Sequence, residues 1–250
     1  MSVTKKILVT GAGSGLGYAV TQNLLESRYS LFVVARNTDS LEKLKKAYPK
    51  QLEIIPGDLR EPAFIKELAA KMPHDLGGAF INAGGPPAAT LEETSMEQWD
   101  EAYRQLIRWK VQLSQLLLPG FKRNKYGRLL YSESTSITRP VDNLGLSNSL
   151  RMAIIGYVKT LVLENPNSGI TFNIIAPGYH ETKAVERLYR KLSEQQNISL
   201  GQAQKLLTAK IPTGSIGNAN DYASLAAWIL SEQAAFLNGQ VINLDGGTSV

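Results

Sequence analysis

The stretch Lys6 to Leu25, KILVTGAGSGLGYAVTQNLL, limits what this chain can fold into more than any other. Ile7, Leu8 and Val9 form a short unbroken apolar run, the pattern of a parallel strand covered on both faces. Gly11, Gly13, Gly15 and Gly17 follow at once, and an apolar-faced helix opens after them. Glycines this dense weaken a helix start unless the backbone must turn sharply or lie close to something. The N–H groups and the positive end of the helix dipole then point at one place, which suits an anion such as a pyrophosphate. The pattern G-x-G-x-x-G is not met: Leu16 stands where the third glycine would fall counting from Gly11, and Tyr18 where it would fall counting from Gly13. The spacing that is met is T-G-x-x-x-G-x-G, through Thr10, Gly11, Gly15 and Gly17.

Strand-like and helix-like segments alternate from there to the end, without a low-complexity linker or a solenoid repeat, so one domain is expected over residues 1–250. Strands are expected at Leu31 to Ala35, Leu52 to Ile55, Ala79 to Ile81, Arg128 to Ser132, Thr171 to Ala176 and Gln240 to Leu244. A long helix is expected from Met96 to Leu118, ending at Pro119. A hydrophobic fraction of 43% is ample for a sizeable core. Zero cysteines exclude a disulfide framework and thiolate metal sites, and two histidines make a structural zinc site a poor fit, so no metal is expected. No apolar run approaches membrane-spanning length and the N-terminus has no apolar leader core; the expectation is a cytoplasmic protein with no membrane partner. The net charge of +5 is spread along the chain, as in Lys43, Lys45, Lys46 and Lys50 among leucines, and argues against a nucleic-acid partner.

The glycine spacing, together with Asn82-Ala83-Gly84 after the fourth strand, resembles the short-chain dehydrogenase/reductase family, and the likeness covers nearly the whole chain. It implies a Rossmann fold: a doubly wound parallel sheet of seven strands, order 3-2-1-4-5-6-7, with helices on both faces and a small helical substrate lid at about residues 183–212. It also implies a dinucleotide held by Thr10, Gly11, Gly13, Ser14, Gly15, Leu16 and Gly17. Asp58 and Leu59 would serve the adenine, Asn82, Ala83 and Gly84 the adenosine ribose, and Pro177, Gly178 and Thr182 the nicotinamide end. Arg36 stands just beyond the second strand, where an arginine accommodates a 2′-phosphate and an acidic residue would bind a free 2′-OH. NADP is therefore expected, with NAD as the alternative.

The catalytic positions depart from the family. Ser134 fits the serine that orients the substrate carbonyl. Read back without gaps from Gly156, the tyrosine position holds Ser147 and the lysine position Arg151, and the helix asparagine is replaced by Leu106. Arg151 can still hydrogen-bond a ribose hydroxyl and hold positive charge, but guanidinium does not lose its proton in proteins. Tyr179, with His180 and Glu133, is an alternative proton donor. Two functions follow from the resemblance: an oxidoreductase acting on a carbonyl or hydroxyl substrate of small-molecule or acyl type through an atypical proton relay, or a catalytically inactive dinucleotide-binding sensor or partner protein. The family's pairing of the helices at Trp99–Leu118 and Ser147–Glu164 implies a homodimer or homotetramer.

Overall fold

Seven parallel strands lie in the order β3-β2-β1-β4-β5-β6-β7 in a computed structural model that describes residues 6–250. The strands are β1 (Lys6–Thr10), β2 (Ser30–Ala35), β3 (Leu52–Pro56), β4 (Gly78–Ile81), β5 (Gly127–Ser132), β6 (Ile170–Pro177) and β7 (Val241–Leu244). Each is where the sequence expects one, to within a residue at either end. Their alternate side chains feed two apolar layers. On one face Ile7, Val9, Val33 and Phe80 pack with α1 (Gly15–Glu26), α2 (Asp39–Ala47) and α9 (Ala219–Ile229). On the other, Leu8, Ala79, Leu129 and Tyr131 pack with α3 (Pro62–Lys71), α5 (Trp109–Asn124) and α6 (Gly145–Glu164). Between them in the chain come α4 (Met96–Tyr103) and, after β6, α7 (Lys183–Gln196) and α8 (Leu200–Thr208).

The order reverses between β1 and β4, and that reversal opens a crevice at the carboxyl ends of the strands. The glycine turn sits there. Gly11 adopts φ +63°, in the left-handed region, and α1 comes so close that a Cβ on Gly17 would stand 2.1 Å from the Gly11 carbonyl oxygen. Thr10 ties the turn to its neighbour: its hydroxyl donates to the Asn82 carbonyl at 2.8 Å and accepts the Asn82 N–H at 2.8 Å. These contacts fix the distance between β1 and the loop after β4.

The expected helix from Met96 to Leu118 is three pieces: α4, a π-helical turn over Arg104–Arg108, and α5. Its expected end at Pro119 is wrong, because α5 continues to Asn124. The proline forfeits one backbone hydrogen bond, but Phe121 is sealed in the core and packs on Gly127, and that burial outweighs the loss. Leu106 lies inside the π turn and is only 1% exposed, a core residue. Ser199 and Gln202 form the capping box that the sequence suggests at the start of α8: the Ser199 hydroxyl accepts the Gln202 N–H and the Gln202 side chain accepts the Ser199 N–H.

Gly17→Ala should lower stability by about 1–3 kcal/mol, since its methyl meets backbone that cannot yield. Thermal denaturation checks this, with a Tm fall of several degrees expected.

Candidate active site

Six segments surround a cleft of about 810 Å³. Gly11, Gly13 and Ser14 come from the glycine turn, Arg36, Asn37, Ser40 and Lys43 from the end of β2 and α2, and Gly57, Asp58, Leu59 and Arg60 from beyond β3. Ala83 and Gly84 follow β4, Gln105 and Trp109 stand at the π turn, and Lys183 and Arg187 reach in from α7. Eight of the residues expected at a dinucleotide thus line one space: Gly11, Gly13, Ser14, Arg36, Asp58, Leu59, Ala83 and Gly84. The others expected there shape it from behind or stand to one side. Thr10, Asn82 and Gly17 make the closure described above, and Thr182 lies beside Gly15, whose φ is +56°. Pro177 ends β6, and Gly178 packs so closely on Asp245 that a Cβ would stand 2.8 Å from its Cα.

The cleft is positive. Arg36, Lys43, Arg60, Lys183 and Arg187 face Asp39 and Asp58 only, five cations against two carboxylates. Asp58 is occupied: Arg60 donates to it at 2.6 Å, and this hydrogen bond holds the carboxyl below its ordinary value despite partial burial. Arg60 also reaches Glu101 at 3.0 Å. Sequence reasoning missed Arg60, Lys183 and Arg187, whose positions depend on which loop folds over which strand end.

A second constellation lies in the protein interior, where β5 ends between α5 and α6. Glu133 follows β5 directly, and its side chain is 0% exposed. One carboxylate oxygen accepts from Lys110, the other from Arg151 Nη1 at 2.9 Å. Arg151 Nε in turn donates to Ser147 Oγ at 3.0 Å, four residues back along α6. The Lys110 side chain is 1% exposed and that of Arg151 8%. Burial brings the Lys110 ammonium down to about 8 against the opposing pull of Glu133. Sequence-predicted Ser147 and Arg151 are therefore together, on consecutive turns of one helix face. Glu133, expected as a proton donor, is an acceptor from two cations instead. Lys110 was missed altogether; the available signal was a lysine on the buried stripe Leu106, Lys110, Leu113, Leu117 of a helix.

Ser134 caps the short turn after β5, its oxygen accepting the Ser136 N–H at 3.2 Å, which leaves its own O–H free to donate. Tyr179 lies between β6 and α7, half-buried, and burial raises its phenol, making it a weaker acid than an ordinary tyrosine. His180 is buried edge-on to Tyr222 with ring centroids 5.4 Å apart, and burial lowers its imidazole. Among the described residues no cluster of three metal-ligating side chains occurs, and no helix is long and apolar enough to cross a membrane.

Sheet order, glycine turn and positive cleft define a dinucleotide-binding α/β protein of the Rossmann class. Residues 11–249 match the family described as enoyl-(acyl carrier protein) reductase. D-beta-hydroxybutyrate dehydrogenase of Cupriavidus necator is 27% identical over 97% of each chain. The 3-oxoacyl-[acyl-carrier-protein] reductase of Escherichia coli is 25% identical over 97% of this chain and 96% of its own. Among solved structures, a variant of the actinorhodin polyketide ketoreductase with NADPH superposes with a TM-score of 0.90 at 25% identity, covering 98% of this chain and 97% of the other. The chain belongs to the short-chain dehydrogenase/reductase family.

Glu133→Gln should cost about 3–5 kcal/mol, because it strands two buried cations, whereas Lys110→Met keeps the neutral Glu133–Arg151 pair and should be neutral or stabilising. Urea denaturation of both variants reads the contrast. The same lysine gives stability a sign in alkali. Its folded value of about 8 lies below the ordinary 10.5, so the unfolded chain binds more protons between those two pH values. Stability from this group therefore rises with pH across that window, and the rise should vanish in Lys110→Met.

Proposed function

We propose that this chain is an NADP-dependent oxidoreductase that interconverts a carbonyl and a hydroxyl through an altered proton relay. The observation that carries it is the Ser147 hydroxyl, which accepts from Arg151 Nε at 3.0 Å and so keeps its own hydrogen free for a substrate oxygen. The family to which the chain belongs and the oxidoreductases among its relatives support the reaction class. The actinorhodin ketoreductase in complex with NADPH, together with Arg36 at the strand end, supports the cofactor.

In this reading the glycine turn from Thr10 to Gly17 takes the diphosphate and Arg36 the 2′-phosphate. Asp58 and Leu59 face the adenine, and Asn82, Ala83 and Gly84 the ribose. Pro177, Gly178 and Thr182 hold the nicotinamide end. NADPH, when bound, supplies the hydride to the carbonyl carbon. Ser134 donates a hydrogen bond that orients the carbonyl oxygen, Ser147 passes it the proton, and Arg151 stabilises the charge left on the Ser147 oxygen. Tyr179 is the alternative donor, its phenol made less acidic than an ordinary tyrosine by burial. A serine is a far poorer general acid than an activated phenol, so the relay forgoes part of a contribution that is ordinarily about 10²- to 10⁴-fold.

A second reading, a dinucleotide-binding protein without turnover, draws on Ser147 being only 8% exposed. Tyr103 and Leu116 on α4 and α5, with Met152 and Leu163 on α6, are large apolar side chains open to solvent, and they support a homodimer or homotetramer, which light scattering checks.

The deciding experiment is NADPH consumption at high enzyme concentration against a panel of ketones, oxo acids and acyl thioesters. Turnover that falls at least about tenfold in Ser147→Ala supports the relay. NADPH binding without any turnover establishes the second reading. Arg36→Glu should weaken NADPH binding by about 10- to 100-fold, the loss of a charge-assisted contact, while sparing NADH.

A further inference from the structure

The buried constellation is unbalanced. Two cations, Lys110 and Arg151, share one carboxylate, and Glu133 is the sole carboxylate in an ion pair with either of them among the described residues. An excess positive charge in the interior is costly unless an anion meets it. Lys110 and Glu133 are sealed, so the charge opens outward only through Arg151. That guanidinium gives Nε to Ser147 and Nη1 to Glu133, while Nη2 makes no hydrogen bond among the described residues. Gly85 lies against this nitrogen: a Cβ there would stand 3.2 Å from Nη2, so the bare glycine leaves a methyl-sized gap beside it that any side chain would fill.

We infer that the substrate is a small oxo acid, whose carboxylate meets Nη2 of Arg151 while its carbonyl oxygen faces Ser147. The inference rests on the carbonyl-reducing role proposed for Ser147. Nε and Nη2 belong to one rigid planar group, so the hydroxyl on Nε and the anion on Nη2 are neighbours, and the carbonyl and carboxylate of the substrate are separated by no more than one or two carbons. The step balances as a two-electron reduction. The carbonyl carbon gains the hydride, its oxygen gains the Ser147 proton, NADPH becomes NADP, and Ser147 regains a proton from water; the product is the hydroxy acid. A neutral ester or thioester at the same place would leave the excess charge unmet.

The test uses the full chain with NADPH and matched pairs, 2-oxo and 3-oxo acids of four to six carbons against their methyl esters. The acid should win in kcat/KM by about 10- to 100-fold, the worth of a charge-assisted hydrogen bond to a buried cation. Gly85→Ala, which crowds Nη2, and Lys110→Met, which removes the excess charge, should each shrink the acid-to-ester ratio, and either variant suffices if the other fails to fold. Esters turned over as well as acids would overturn the inference and leave the proposed function standing. If neither is turned over, titration of acid and ester against the fluorescence of the NADPH complex decides. Binding selective for the acid keeps the anion site and removes the reductase reading, and equal or absent binding overturns the anion site too.

Discussion

The carboxylate of Glu133 is the point on which the interior beside the cleft depends. It joins three elements that are distant in sequence: α5 through Lys110, the end of β5 through its own backbone, and α6 through Arg151. The two residues before it are stitched as firmly. The Tyr131 hydroxyl shares a hydrogen bond of 2.8 Å with Ser114 of α5, and Ser132 Oγ accepts from Tyr222 of α9 at 2.9 Å. The carboxyl end of β5 is thus tied to both helical layers at once. A buried ion pair does little for stability when compared with apolar residues of the same shape, but removing one partner is expensive. An interaction of that kind specifies geometry, and here the geometry it specifies is the position of Arg151 and, through Nε, of Ser147.

Two positive regions result, and they differ in strength for a physical reason. The cations around the cleft are set in its open walls, where water and salt weaken their fields within a Debye length of about 8–10 Å, so they suit attraction of a highly charged ligand. The excess charge behind Ser147 is buried except for the small exposed part of Arg151, and its effect on an oxygen at hydrogen-bond distance is several-fold larger per charge. Under the proposed function, the first region meets the phosphates and the second the reacting end.

Much of this was legible in the sequence because parallel strands covered on both faces must be short apolar runs, and Ile7 to Val9, Leu31 to Ala35 and Ile174 to Ala176 are such runs. The cleft was legible from residues whose backbone has no alternative, Gly11 above all, and from Arg36 at a strand end. What stayed hidden depends on register between segments far apart in the chain. Lys110 reads as one more surface lysine until α5 is docked on β5, when its stripe turns inward and Glu133 comes opposite. Arg60 similarly meets Asp58 and Glu101 only once the loop after β3 faces α4. Pro119 misled in the other direction, because a local rule about helix ends yields to the burial of Phe121.

Under the proposed chemistry, the replacement of a phenol and an ammonium by Ser147 and Arg151 changes what limits the reaction. A phenol beside an ammonium is acidic enough to release and regain its proton near neutrality, whereas a serine hydroxyl is not. Arg151 cannot relay a proton, since guanidinium stays charged, so it contributes field and orientation alone. The serine must then be assisted at the moment when the substrate oxygen becomes an alkoxide, a far stronger base than the carbonyl it came from. A fixed excess positive charge acts at that moment and costs no reorganisation then, which is the way preorganised dipoles and charges lower barriers. The net positive charge of Lys110 and Arg151 over Glu133 therefore does for the altered pair what an acidic phenol does elsewhere: it shifts the balance between alkoxide and alcohol by stabilising the anion, not by strengthening the acid.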